Sequence, residues 1–182
     1  MRIETKRLIL RVPEMKDAKD IRENINNLNV TKWLLVVPYP YSLKDAKDYI
    51  KKAKDKLKKR IKEGYNFSIE LKSEKKVIGG IGMHHVNNFS KTAEVGYWLG
   101  EKYWKNGYGS EALSTLLKLA FNKLKLRRVY ADVFSGNPAS GKLLEKFGFK
   151  NEGLARKAHK SKASGKIMDT LKYGLLKEEW KR

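Results

Sequence analysis

Two periodicities meet in the middle of this chain. From Ala93 to Leu99 apolar side chains return at every second position, placing Val95, Tyr97 and Leu99 on one face of a strand. From Leu113 the spacing becomes i, i+3, i+4, i+7, i+8 and i+11, through Leu116, Leu117, Ala120, Phe121 and Leu124, the stripe of an amphipathic helix. Between the two lies a polar turn carrying Gly107 and Gly109 directly into the helix start. The rest of the chain is arranged around this strand, turn and helix.

Toward the N terminus, Leu8, Leu10 and Val12 alternate as a strand that Pro13 ends. Asp17 to Asn27 reads as a helix with Ala18, Ile21 and Ile25 on one face, and Trp33 to Tyr41, broken by Pro38 and Pro40, as a loop. Ser42 followed by Asp45 resembles a capping box and opens a helix from Leu43 to Glu63. Its stripe is Ala46, Tyr49 or Ile50, Ala53, Leu57 and Ile61; its other face carries Lys51, Lys52, Lys54, Lys58, Lys59, Arg60 and Lys62. That basic face is either a solvated side or a docking face for RNA. Phe67–Leu71, Val77–Val86 and Ala93–Leu99 form an expected antiparallel meander with turns at Lys72–Lys76 and Asn87–Lys91.

After the central helix, Arg128–Phe134 is a further strand. Asn137 and Pro138 have the character of an N-cap and first helical residue for a helix from Ala139 to Phe147 that Gly148 ends. Phe149–Ala158 and Ile167–Leu175 close the chain as a hairpin through Ser164-Gly165. The expected architecture is α/β, one domain over residues 1–182, with a mixed, mainly antiparallel sheet of six or seven strands and helices on both faces.

The turn itself is built for an anion. The first N–H groups of a helix have no internal partner, the aligned peptide dipoles place about half a positive charge there, and glycines let a phosphate approach the backbone. Asn106 to Ser110 is therefore read as the cradle of a nucleotide-like diphosphate. Gly107-Tyr108-Gly109-Ser110-Glu111-Ala112 also matches the dinucleotide fingerprint, with Asp132 downstream, but Gly100 to Asn106 separate it from its strand and repeated βα units are missing.

Trp104-Lys105-Asn106-Gly107-Tyr108-Gly109 resembles the Q/R-x-x-G-x-G/A motif of GCN5-related N-acetyltransferases (GNAT), with Trp104 where Gln or Arg is usual. The run AEVGYWLGEKYWKNGYGSEAL is similar to the RimJ/RimL branch. Resemblance extends to TKRLILRVPEMKDA, VIGGIGMHHV and RRVYADVFSGNPASGKLLEKFGFKNEG, most of the chain. It implies a GNAT fold in which the strands at Ala93 and Arg128 splay into a V-shaped gap holding the pantetheine of acetyl-CoA, the acetyl donor. The implied donor-side residues are Trp98, Leu99, Trp104, Lys105, Asn106, Gly107, Tyr108, Gly109, Ser110, Asn137 and Ser140. It further implies transfer to an amine, with the N termini of ribosomal and other proteins, or small amines, as acceptors.

Composition narrows the chemistry. The absence of Cys excludes disulfides, thiolate metal sites and a cysteine acyl-enzyme. No apolar run is long enough for a membrane span and the charged N terminus reads as a strand, so the expected location is cytoplasmic. With 41 basic against 20 acidic residues the net charge is +21. That field attracts anions such as CoA phosphates, RNA or a ribosome surface, or it is the mark of a Lys-rich proteome. A basic RNA- or ribosome-binding module with a degenerate CoA pocket is the competing function. The chain alone leaves a monomer or homodimer open.

Without Cys and without an evident Ser-His-acid spacing, the simplest chemistry is direct attack of a neutral amine on the thioester. An α-amino group, with a pKa of about 7.7–8.0, meets that need more readily than Lys at about 10.4. Most GNAT enzymes place a Tyr general acid where this chain has Leu144. In the RimL-like pattern, Ser140 hydrogen-bonds or protonates the departing thiolate and Asn137 binds pantetheine; the alternative for Ser140 is an ordinary first-turn serine. Glu94 resembles a strand glutamate used as base, or is an exposed strand carboxylate. His159 falls where relatives carry an acid, and either takes the amine's proton or is a surface His among Arg156, Lys157 and Lys160. Tyr39, Tyr41, His84 and His85 are acceptor-side candidates, with loop packing the alternative for the tyrosines. No metal is expected, because the three His residues lack ligand spacing.

Overall fold

The computed structural model describes residues 1–58 and 63–181. Its strands are β1 (Arg2–Glu4), β2 (Leu8–Arg11), β3 (Tyr65–Leu71), β4 (Lys76–Asn87), β5 (Thr92–Leu99), β6 (Arg128–Phe134), β7 (Lys150–Lys160) and β8 (Ile167–Leu176). Its helices are α1 (Ala18–Ile25), α2 (Leu28–Thr31), α3 (Leu43–Lys58), α4 (Tyr108–Lys118) and α5 (Pro138–Lys146). Among the described residues these strands make one 8-stranded sheet in the order β1-β2-β3-β4-β5-β6-β8-β7, one more strand than the upper expectation. The addition is β1, whose pattern hides it: Arg2 and Glu4 are exposed, and pairing with β2, Arg2 opposite Arg11, makes the segment a strand.

Each helix buries the face its sequence marks. Leu113, Leu116, Leu117, Ala120 and Phe121 sink into a core shared with β2 to β6 and with Leu144 of α5. On the opposite side of the sheet Ile21 and Ile25 of α1 meet Ala46 and Ile50 of α3 over Val77 of β4. Helices thus cover both faces. The Ser42–Asp45 capping box forms, with Asp45 N–H donating to Ser42 Oγ at 3.1 Å and Ser42 N–H to Asp45 Oδ2 at 2.8 Å. Ile61, Lys59, Arg60 and Lys62 lie outside the described residues, as do the side chains of Leu57 and Lys58.

One helix is added to the sequence pattern and another departs from it. The helix expected from Asp17 to Asn27 forms as α1, and a short helix the pattern did not mark, α2, follows it, because the Asn27 side chain accepts from Asn29 N–H at 2.8 Å and caps a new start. The helix expected to continue regularly to Leu124 changes instead to a π-type turn over Leu119–Lys123, where Leu124 N–H donates to Leu119 O at 3.0 Å. Neighbouring strands are antiparallel except β5 and β6, which the α4 crossover joins in parallel.

Candidate active site

That parallel pair is short. Thr92, Ala93 and Glu94 lie opposite Arg128, Val129 and Tyr130, and the register goes no further. Beyond it, β5 stays paired with β4 as far as Leu99, and β6 with β8 as far as Phe134. Val95–Leu99 and Ala131–Phe134 therefore face each other across a wedge with no ladder between them. Backbone polar groups left without a strand partner are what an extended, amide-bearing chain can satisfy. The splay expected from the resemblance is present.

The Asn106–Ser110 turn stands at the open end. Lys105 and Gly107 both adopt left-handed backbone, with φ of 62° and 77°. Gly107 is the N-cap of α4, a conformation that costs a non-glycine residue about 1–2 kcal/mol. The first regular helical bond runs from Glu111 N–H to Gly107 O at 3.1 Å. The amides of Tyr108, Gly109 and Ser110 precede it and carry the positive end of the helix dipole. No side chain caps this helix start. Donor set and loop shape both fit a diphosphate.

Two side chains hold the loop's floor. Trp104 Nε1 donates to Leu99 O at 2.8 Å, and Asn106 Nδ2 to Trp104 O at 3.0 Å. Trp98 turns to the α1/α3 side of the sheet, while Leu99 packs on the α4 side. An unforeseen clasp comes from the β1–β2 turn. Arg7 Nε donates to Glu111 Oε2 at 2.7 Å and Arg7 Nη1 to Asn106 O at 2.9 Å, with the guanidinium 4.5 Å over the Tyr108 ring. Thr5 and the Arg7 amide also donate to Glu111 Oε1.

α5 faces the wedge from the other side. Asn137 caps it, accepting from Ser140 N–H at 3.3 Å, with Pro138 in the first turn. Ser140 Oγ lies 2.9 Å from Tyr97 Oη, a phenol that crosses from β5. Burial pushes the Tyr97 hydroxyl up to about 12. Leu144, one turn further along α5, is fully buried in the core.

Glu94 alternates with Val95 and so presents its carboxylate to the α1/α3 face, at the closed end of the wedge. Burial, with Asp132 adding to it, raises its pKa above the ordinary carboxylate value. His85, with left-handed backbone next to a bulge, brings Nε2 to 3.6 Å from Glu94 Oε2. His84 pairs across from Glu94 on the same face. On β7, a bulge between Ala155 and His159 resets the strand. There His159 Nε2 comes within 3.5 Å of Asp132 Oδ2, and Lys172 Nζ pairs with the same carboxylate. His159 Nε2 is shielded from solvent with no well-aligned hydrogen bond, so the contact with Asp132 is proximity alone.

Glu94, Asp132, His159 and Lys172 thus converge from four strands. The sequence offers Asp132 only as the acid downstream of the dinucleotide fingerprint; its alternation with buried Ala131 and Val133 on β6 is the signal for its place here. Loop Trp33–Tyr41 closes this side: a side chain on Gly136 would meet the Trp33 ring at 3.2 Å, and Lys162 N–H donates to Leu35 O at 3.2 Å. Tyr39 is exposed there. Tyr41 corrects the acceptor-side expectation: only 6% exposed, it packs with Ile25, Val30, Ala46 and Ile50, because burying an aromatic ring is worth more than presenting it. Among the described residues no cluster of three or more His, Cys, Asp or Glu is arranged to hold a metal, and no helix is long and apolar enough to cross a membrane.

Residues 7–150 match the family model described as acetyltransferase (GNAT) domain. The N-acetyltransferase p20 of Bacillus licheniformis is 34% identical over 176 residues, covering 97% of this chain and 96% of p20. The ribosomal-protein-serine acetyltransferase of Escherichia coli (strain K12) is 33% identical over 95 residues, covering 52% of this chain and 53% of that protein. The crystal structure of an acetyltransferase (GNAT family) from Bacillus anthracis superposes with a TM-score of 0.82 at 28% identity, over 98% of this chain and 100% of that one.

Proposed function

The chain belongs to the acetyltransferase (GNAT) domain family and takes acetyl-CoA as its acetyl donor, and from that premise we propose that it acetylates the α-amino group of protein N termini, of the ribosomal-protein type. The observation that carries the reading is the wedge between β5 and β6, with open amides at one end and a carboxylate of raised pKa at the other. Acetyl-CoA supplies an activated thioester carbonyl. The amides of Tyr108, Gly109 and Ser110 hold its diphosphate, Asn137 its pantetheine arm, and Ser140 hydrogen-bonds the sulfur as it leaves.

The nucleophile must be a neutral amine. An α-amine at about pKa 7.7–8.0 needs roughly 2.5 units less help than a Lys side chain at about 10.4, a gap worth over ~3 kcal/mol. Glu94 receives its proton, and its raised pKa brings base and amine closer together. The buried, unpartnered Nε2 of His159 is suited to orient the acceptor. His84, His85 and exposed Tyr39 belong to the acceptor side. The name of the Escherichia coli relative supports a ribosomal acceptor.

The test is acetylation of a panel of ribosomal-protein N-terminal peptides, each also in an N-blocked form carrying Lys, with spermidine as a small-amine competitor. Free α-amines should react at least about tenfold faster than blocked peptides. Preference for spermidine or for Lys would overturn the acceptor class while leaving acetyl transfer intact. In a separate melting measurement Gly107→Val, which forces a branched side chain into left-handed backbone, should abolish the thermal shift produced by acetyl-CoA.

A further inference from the structure

The phenol of Tyr97 has no part in the chemistry assigned so far. It stands on the section of β5 that has parted from β6, and its Oη approaches α5 within 2.9 Å of Ser140 Oγ and 3.3 Å of Ser140 O. Ser140 and Leu144 are i, i+4 neighbours and so share one face of α5. Leu144 is fully buried in the core, whereas at Ser140, one turn earlier on that face, the Tyr97 phenol arrives from the opposite wall.

We propose that Tyr97 is a positioning residue for Ser140, donating its O–H to Ser140 Oγ so that the serine's own O–H is free to point at the sulfur. The inference rests on the acetyltransfer reading above and on Ser140's place in it. Two hydrogen-bond arrangements are available. If the phenol donated to Ser140 O, the serine would turn its proton to Tyr97 and have none for the sulfur. The 2.9 Å contact lies near the preferred O–H···O range and the 3.3 Å contact outside it, which favours donation to Oγ. Burial keeps the phenol protonated through neutral pH, so it is a donor throughout the working range.

In the step served, the amine nitrogen forms its bond to the acetyl carbon, the C–S bond breaks and its electron pair goes to sulfur. The amine's proton goes to Glu94. The Ser140 O–H, polarised by Tyr97, hydrogen-bonds the thiolate, and no proton need leave the phenol.

Four proteins test this: wild type, Y97F, S140A and the double variant, compared at saturating acetyl-CoA. Loss of one hydrogen bond of ordinary strength predicts that Y97F lowers kcat by about threefold to tenfold, with the KM for acetyl-CoA within about twofold. S140A should lower kcat at least as far, and the double variant no further than S140A, because the phenol acts through the serine. Full additivity of the two losses, or a Y97F kcat equal to wild type beside a slowed S140A, would overturn the role of Tyr97 and spare that of Ser140. A wild-type kcat in S140A would overturn both. A readout independent of any acceptor is the apparent pKa of the thiol in bound CoA, followed by its reaction rate with a disulfide reagent across pH. It should rise in Y97F; an unchanged value also counts against the proposal.

Discussion

Glu94 shows how one carboxylate's surroundings set its chemistry. Its neighbours His84 and Val95 are fixed by β-pairing, and its own position at the closing point of the wedge removes water and brings Asp132 near. A folded-state pKa above the unfolded value of about 4.3 has a definite sign for stability. The contribution is fully present below that value and is lost as pH rises through the folded one, so ionised Glu94 weakens the fold it serves. E94Q should therefore lower kcat by about 100-fold or more while leaving thermal stability at neutral pH equal or higher, a difference that vanishes near about pH 4. Rate profiles and melting curves across pH check both halves; a full-rate E94Q would remove Glu94 from the chemistry. Glu94, Ser140 and His159 are candidates the sequence already offers. That His159 meets Asp132 was not, since a bulge in β7 decides where the imidazole goes.

The turn that opens α4 is an element assembled from two distant segments. Gly107, Gly109 and the stripe from Leu113 announce a helix start, and the helix begins at Tyr108. Nothing near that motif announces Arg7 and Thr5, whose bonds to Glu111 span more than one hundred positions. Burial alone would raise the Glu111 pKa, but the Thr5 hydroxyl and the Arg7 amide and guanidinium outweigh it, and the value is lowered. The clasp therefore stabilises above the unfolded value of about 4.3 and is lost as pH falls through the folded one. E111Q weakens the charge-assisted bonds and should raise the Kd for acetyl-CoA by about threefold to tenfold with kcat nearly unchanged. Calorimetric titration beside steady-state kinetics decides this. A fall in kcat at unchanged Kd would assign Glu111 to the chemical step instead.

At the scale of the whole molecule the net charge of +21 acts on every anion that approaches. Raising salt from about 0.1 M to about 1 M shortens the screening length from about 10 Å to about 3 Å. The KM for acetyl-CoA should rise several-fold over that range, whereas that for acetyl-pantetheine, which lacks the diphosphate, should stay nearly constant. Equal salt dependence for the two donors would mean that the charge serves the acceptor or the protein surface. The two cores on opposite faces of the sheet keep this charge outside: lysines of α3 such as Lys51 and Lys52 are exposed while Ala46 and Ile50 are buried.

By itself the sequence determined seven of the eight strands and the four longer helices, because side-chain periodicity and capping are local, but not β1, α2 or the π-type turn after α4. It also determined the glycine turn that opens α4, since glycine spacing at a helix start is local too. Tertiary structure alone decided that β5 and β6 part after Glu94, that Tyr97 crosses to Ser140, that Arg7 grips the loop, and that Tyr41 belongs to a core and not an entrance. Each of these depends on strand register or on contacts between residues far apart in the chain, and no periodicity within one segment records where another segment will lie.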